Sequence, residues 1–330
     1  MVDLSHYNTF GIRAEAPDLI HIRSEEQLLS FLKTNREPIF VLGGGSNILL
    51  TKNIDAIVLR NEIKGIKVVS ENEQTALVSV GGGENWHGFV EWAIQHNLGG
   101  VENLSLIPGT VGAAPIQNIG AYGAELKDVF DSLQAVDLMS KEVVTFQKAE
   151  CDFGYRDSYF KKEGKGRYFI VSVTFRLQKT PVINANYGDI QKILQAKGIA
   201  NPGIKDISEA VIEIRRSKLP DPKVLGNAGS FFKNPEISAE AFTTFAEKYP
   251  EAPHYQLENG QVKIPAGWLI EKAGWKGKRV GNTGCHEKQA LVLVNYGNAK
   301  GQEIVDLALR IQKDVLDKFG ILLNPEVNWI

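Results

Sequence analysis

The stretch Ile107-Pro108-Gly109-Thr110-Val111-Gly112-Ala113-Ala114-Pro115-Ile116-Gln117-Asn118-Ile119-Gly120-Ala121-Tyr122-Gly123 decides how this chain is read. It holds too much glycine and proline for a stable helix interior, because glycine costs backbone entropy and proline lacks an amide donor. The expectation is a binding loop or a strained turn. Its small side chains let another molecule approach the backbone, and successive free N–H groups in such a run can point at an anion. A diphosphate is the natural candidate. A second run, Gly43-Gly44-Gly45-Ser46-Asn47, follows the apolar residues Ile39-Phe40-Val41-Leu42, which read as a buried strand. A glycine triplet is often only a surface turn. Solvated turns, however, usually carry Asp, Lys or Glu, and these two runs carry almost no charge. Two backbone clamps on one chain predict a long ligand bridged by phosphate. Neither run has the G-x-G-x-x-G spacing and no Walker lysine follows either, which disfavours a Rossmann domain.

Outward from these runs, the pattern predicts mixed α and β structure. Residues 19–23 alternate like a half-buried strand, and Ser24 with Gln27 has capping-box spacing ahead of Leu28, Leu29 and Leu32. Residues 54–59 read as another short strand, closing a small α/β unit near Arg60. Residues 68–69 and 76–80 read as paired strands across a polar turn. Trp86, Phe89, Val90, Ala93 and Ile94 recur at helical spacing up to Gly99-Gly100, with Trp86 and Trp92 read as core. A hairpin is expected over residues 133–138 and 142–146, and a long strand over 168–177. A helix opening at Asp206 buries Ile207, Ala210, Val211 and Ile214 and closes on Arg215-Arg216-Ser217-Lys218, cations suited to a helix C-terminus. Leu219-Pro220-Asp221-Pro222 reads as a linker. Beyond it come strands at 228–233 and 290–295, a short helix near 268–272, and a long helix from about Ile304 to a stop at Gly320.

The ordered set Asn8-Thr9-Phe10, Gly43-Gly44-Gly45-Ser46-Asn47, Ile107-Pro108-Gly109, Gly120-Ala121-Tyr122-Gly123, Gly154-Tyr155-Arg156-Asp157-Ser158 and Gly226-Asn227-Ala228-Gly229-Ser230-Phe231-Phe232 closely resembles the UDP-N-acetylenolpyruvoylglucosamine reductase family. The resemblance runs from about Asn8 to Glu326. It implies an α+β fold, with a two-part FAD-binding region of the vanillyl-alcohol-oxidase-like type and a separate α+β substrate domain. The expected divisions are residues 1–60 and 61–218 for the two FAD-binding parts, 219–320 for the substrate domain, and 321–330 for a tail that returns to the flavin. It also implies NADPH-dependent reduction of an enolpyruvyl nucleotide sugar to UDP-N-acetylmuramate through non-covalent FAD, in peptidoglycan precursor synthesis.

That chemistry needs a cation for the substrate carboxylate and an acid for the carbanion beside it. Arg156 suits the first need, since a guanidinium binds carboxylate in a bidentate fork; its alternative is an ion pair with Asp157 or another acid. Tyr155 is read as a packing partner. Ser230 is the proton donor by resemblance, against the alternative of a turn serine satisfied by its own backbone. Glu326 would stabilise or protonate the enol. For the cofactor the resemblance points to Gly43, Gly44, Gly45, Ser46, Asn47, Pro108, Gly109, Thr110, Gly112, Ala113, Gly120, Ala121, Tyr122 and Gly123. Tyr187, Lys218, Asn234 and Gln289 are matched to the substrate side, and no metal is expected. Asn186-Tyr187-Gly188-Asp189 and the length of the third part match the family's longer subtype, which carries a tyrosine loop here and an extra βαββ segment.

At 330 residues with net charge −2, the chain has room for two or three cores and no basic footprint for nucleic acid. Two cysteines, Cys151 and Cys285, argue against a disulfide framework. The N-terminus lacks the basic and apolar regions of a signal peptide, and no run approaches the ~20 apolar residues of a membrane span. A monomeric cytoplasmic enzyme taking a UDP-sugar and NADPH is expected. Two other readings remain open at this level: a flavin oxidase sharing the two-run FAD domain, though neither run holds a His or Cys for covalent attachment, and a nucleotide-sugar binding module without turnover.

Overall fold

The computed structural model describes residues 1–330. Its contacts divide the chain into two compact units, each drawn from several stretches. The first takes Met1–Val2, Ala16–Gly44 and Ile54–Arg216; the second takes Asp3–Glu15, Gly45–Asn53 and Ser217–Ile330. Thus the N-terminal arm and the residues after Gly44 group with the C-terminal part rather than with their chain neighbours.

In the first unit, the strands Leu19–Ile22, Ile57–Asn61 and Ile39–Leu42 form a parallel sheet with Ile57–Asn61 in the centre. The central strand lies three residues beyond the start expected at Ile54. Helix α1, Glu25–Thr34, crosses over between the outer two strands and buries Leu28 and Leu32. Ser24 accepts from the Gln27 amide as expected, but the Gln27 side chain accepts from Arg23 N–H instead of closing the box on Ser24. A five-stranded antiparallel sheet follows, in the order Val143–Gln147, Phe130–Asp137, Tyr168–Gln178, Thr75–Gly81, Ile66–Glu71. Alternation along Thr75–Gly81 puts Ala76, Val78 and Val80 into the core.

Helix α2, Trp86–Gln95, packs Trp86 and Phe89 against that sheet, where both rings meet Phe175. The Trp86 indole N–H donates to the Leu104 carbonyl at 2.9 Å, so burial leaves no polar atom stranded. Truncating a tryptophan buried in this way costs about 3–5 kcal/mol. The run that opened the chain's reading is not wholly a loop. Val111–Gln117 forms a short 3-10 helix that accommodates Pro115. Such a helix needs few amide donors, so the composition that forbids a long helix permits a short one. One further helix of this unit, α3, Gly188–Ala196, lacked a sequence signal, whereas α4, Ile204–Lys218, begins two residues before Asp206.

The second unit holds an antiparallel sheet ordered Gly226–Ser230, Val292–Asn295, Thr283–Cys285, Arg279–Val280. Its first strand starts and ends earlier than the expected 228–233. Residues 236–263 make a small strand-helix-strand-strand group around α5, Ala239–Lys248, a helix that sequence periodicity did not reveal; its N-cap Ser238 accepts from Ala241. Helix α6, Ala266–Lys272, matches the short helix expected there. Helix α7, Gly301–Phe319, buries Ile304, Leu307, Ala308, Ile311 and Val315 along one face and stops at Gly320.

Candidate active site

The first unit contains a backbone-lined cradle. A Cβ placed on Gly44 would lie 2.7 Å from the Gly109 Cα, and one on Gly43 would lie 2.7 Å from Thr110 Oγ1. Gly112 donates its amide to Gly82 at 2.8 Å, and a Cβ there would strike the same carbonyl. Ala113 N–H donates to the Thr110 carbonyl. Only glycine allows these backbones to come so close. Beside them lies a cleft of about 370 Å³ lined by Gly43, Gly83, Thr110 and Asn61, with Arg23, Arg60, Glu62 and Lys64 among its walls. Thr110 Oγ1 is buried and has no hydrogen-bond partner in the protein.

The far end of the run holds a pair of arginines. Arg156, with φ +53, donates through Nη2 to the Gly120 carbonyl at 2.5 Å, and its guanidinium lies 5.3 Å from the Tyr155 ring. A Cβ on Gly120 would sit 2.8 Å from Arg156 Nη1. Asp157, the alternative partner for Arg156, is paired with Lys162 at 3.1 Å. Arg215 of α4 donates through Nε to the Leu106 carbonyl at 3.2 Å and is hydrogen-bonded to the Tyr122 hydroxyl. Burial holds this guanidinium below its ordinary value; Tyr122 opposes that and the nearby Arg156 charge adds to it. No carboxylate pairs with Arg215. Burial likewise raises the Tyr122 phenol. Tyr122 makes an edge contact with Tyr187, 5.3 Å between centroids, while Asn103 donates to both the Tyr122 and Asn184 carbonyls and Asn184 donates to the Gly123 carbonyl. Tyr187 is half-exposed at the start of α3, Pro108 is exposed, and Ala121 pairs with Ala124 in a two-residue ladder.

The second unit carries the remaining candidates. Gly45 accepts from Thr9 N–H at 3.0 Å, and a Cβ there would lie 2.0 Å from the Tyr7 carbonyl. Thr9 in turn accepts from Asn227 N–H, so the arm ties the first glycine run to the Ser230 strand. That strand bulges between Asn227 and Ser230. Gly229 takes φ +72 at the bulge and donates its amide to Asn227 Oδ1, while Asn227 Nδ2 donates to the Pro220 and Leu225 carbonyls. The turn is therefore satisfied by Asn227 and not by Ser230. Glu326 donates its amide to the Phe231 carbonyl at 2.8 Å, and its own carbonyl accepts from Asn47 Nδ2 at 3.4 Å. Ser46 is half-buried on the same run. Asn234 Oδ1 accepts from Ala266 N–H at the start of α6, and Gln289 Oε1 accepts from Leu291 N–H. Lys218 is the exposed last residue of α4.

A UDP-N-acetylenolpyruvoylglucosamine reductase from Flavobacterium johnsoniae is 52% identical over 329 residues, covering 99% of this chain and 98% of that one. The chain belongs to the UDP-N-acetylenolpyruvoylglucosamine reductase family. A relative from Burkholderia lata with the same name is 51% identical, with 98% and 94% covered. The family's C-terminal domain model matches residues 221–330, and an FAD binding domain model matches residues 19–146. The crystal structure of the reductase from Thermus caldophilus shares the fold, with a TM-score of 0.70 at 24% identity over 99% of this chain and 97% of that one. The expected α+β class agrees with this.

The residues present fit the diphosphate of FAD. Thr110 offers an unpaired hydroxyl, the glycines let the two runs pack backbone against backbone, and Lys64 and Arg60 line the same cleft with Glu62 beside them. Sequence reasoning missed Arg60, Asn61, Lys64 and Gly83, and it missed Arg215. Arg215 carried a readable signal: it stands four residues after the buried Val211, on the apolar stripe of α4, where a cation needs a reason.

Proposed function

We propose that this protein reduces the enolpyruvyl group of UDP-N-acetylglucosamine enolpyruvate to UDP-N-acetylmuramate with electrons from NADPH, using non-covalent FAD, in peptidoglycan precursor synthesis. The observation that carries the reading is the half-identical match to relatives of that name along nearly the whole chain. When bound, FAD accepts a hydride from NADPH and delivers one to the enolpyruvyl double bond. The remaining needs fall on side chains. Gly43, Gly44, Gly45, Ser46, Asn47 and the stretch 108–123, with Thr110 as donor, hold the cofactor. Arg156 binds the substrate carboxylate and stabilises the charge that builds up beside it, with Arg215 as a second cation. Ser230 gives the proton to the carbon next to the carboxylate; a hydroxyl is a weak acid, but the carbanion is a strong base. Glu326 stabilises or protonates the enol, and Tyr187, Lys218, Asn234 and Gln289 receive the nucleotide sugar.

The same reading makes residues 1–60 and 61–218 the two FAD-binding parts, 219–320 the substrate domain and 321–330 the returning tail. The longer, tyrosine-loop subtype is supported by Tyr187 against Tyr122 and by the strand-helix-strand-strand group at 236–263. Nicotinamide and substrate would use one cleft in turn, which predicts ping-pong kinetics. A monomer in a reducing cytoplasm, without nucleic-acid or membrane partners, accords with two free thiols and a net charge of −2. No helix is long and apolar enough to cross a membrane.

The purified protein is expected to be yellow and to oxidise NADPH only when the enolpyruvyl substrate is present. Ser230→Ala should slow flavin reoxidation by substrate about 10²–10⁴-fold while leaving flavin reduction by NADPH nearly intact, read by stopped-flow absorbance. A colourless preparation that takes up no FAD ends the reading; equal loss in both half-reactions removes Ser230 from its role.

A further inference from the structure

His87 is joined to Arg215 by a short chain of contacts within the first unit. Leu106, one residue before the long glycine-rich stretch, has φ +57, a conformation that a branched side chain rarely adopts without support. Its N–H donates to His87 Nδ1 at 3.0 Å, and its carbonyl accepts from Arg215 Nε at 3.2 Å. Both polar groups of one left-handed residue are thus held by side chains of two different helices, α2 and α4. Since Nδ1 accepts, the ring proton sits on Nε2, which faces Glu91 Oε1 at 3.5 Å one turn along α2.

We infer that His87 is a positioning residue for the substrate anion: its neutral ring holds Leu106 in the left-handed conformation and so fixes the carbonyl from which Arg215 is suspended. This rests on the reading of Arg156 and Arg215 as the cations that receive the substrate's anionic groups. Protonation at Nδ1 turns the acceptor into a donor facing another donor, and frees Leu106 to relax. The charged groups facing the ring are Glu91 on α2, which favours protonation, and Arg215 and Arg216 on α4, which oppose it. Burial is the largest influence and holds the ring below the usual 6.5. The acceptor form therefore prevails at neutral pH and is lost on acidification below that value.

The test uses the full-length, FAD-loaded protein as wild type, His87→Ala, His87→Gln, Leu106→Gly, His87→Ala/Leu106→Gly and Arg215→Ala. The readouts are the affinity for UDP-N-acetylmuramate by calorimetry and the pH profile of kcat/KM. His87→Ala should weaken binding about tenfold, the equivalent of one hydrogen bond, and should lose the acid limb seen in the wild type. His87→Gln, which keeps an acceptor that does not titrate, should recover most of the affinity and also lack the acid limb. Leu106→Gly, which adopts positive φ without support, should make the protein indifferent to His87→Ala. Unchanged affinity and an unchanged acid limb in His87→Ala overturn the inference. So does a loss that tracks melting temperature and that neither Gln nor Gly restores, which would mark His87 as structural only. Unchanged affinity in Arg215→Ala overturns the anion reading and the inference with it; weakened binding there with an indifferent His87→Ala overturns the positioning step alone.

Discussion

The hydroxyl of Thr110 is buried without a partner, and leaving such a group unpaired costs about 1–3 kcal/mol. A ligand that accepts its hydrogen bond recovers that cost, which is why the cradle suits an anion. Thr110→Val keeps the shape and removes the stranded oxygen. It is expected to stabilise the FAD-free protein by about 1 kcal/mol and to weaken FAD binding about tenfold or more. Melting curves of the FAD-free protein and a flavin-fluorescence titration measure the two effects, and unaltered FAD affinity takes Thr110 out of the cofactor site. Asp137 shows the opposite economy. Its side chain is nearly covered and meets Arg167 in a fork from Nε at 2.9 Å and from Nη2, with added bonds from the Met139 and Ser140 amides. The arginine, above all, holds the carboxyl below its usual 3.8. A depressed folded value adds stability above pH 3.8 that fades as pH falls through the folded value. Asp137→Asn should therefore lower the melting temperature at pH 7 and approach the wild type at an acid pH below the folded value. Equal differences at both pH values would assign the loss to packing. Arg215 illustrates what a residue-level reading overlooks: its charge suited a helix end, while its place on the apolar stripe of α4 announced burial.

At the scale of elements, the periodic helices α1, α2, α4, α6 and α7 stand close to where sequence periodicity puts them, and so do the long strands. Helices α3 and α5 escaped notice because α3 opens on Gly188-Asp189, a pair that reads as a turn, and α5 buries only Phe245. An amphipathic stripe that narrow gives no usable period. The C-terminal tail is the element whose importance no local pattern conveys. Asn328 donates to the Asn47 carbonyl through both its backbone and side chain, Ile330 N–H reaches the Leu49 carbonyl, and Thr51 donates to Ile330 through N–H and hydroxyl. These bonds form a parallel pairing of Asn328–Trp329 with Ile48–Leu49. On its other side the tail meets Phe231 and Phe232, next to Ser230. Removing residues 328–330 should lower FAD content on purification and slow flavin reoxidation together. Full FAD content and wild-type half-reactions in the truncated protein would show that the tail merely packs.

At the scale of the whole molecule, both thiols are sealed in cores. Burial pushes Cys151 and Cys285 up to about 12. A maleimide at pH 7.5 should leave both unmodified in the native protein and label two per chain in guanidinium, as counted by mass spectrometry; labelling of the native protein would mean that a core opens on that timescale. The two units also explain why domain limits drawn along the sequence differ from those drawn by contact. Residues 3–15 and 45–53 lie among N-terminal elements in the chain but join the second unit, because Thr9 bonds to Asn227 and Thr51 to Ile330.

By itself the sequence determined the periodic elements, the two glycine-rich clamps, and the ordered motifs that mark the family, since each depends on residues near one another in the chain. Only the tertiary structure decided that Thr110 is stranded, that Asn227 rather than Ser230 satisfies the bulge, and that Arg215 shares Tyr122 with no acid beside it. Burial and hydrogen-bond partnership are properties of what folds against a residue. Partners such as Asn47 and Asn328, 281 positions apart, leave no mark in the local pattern of either.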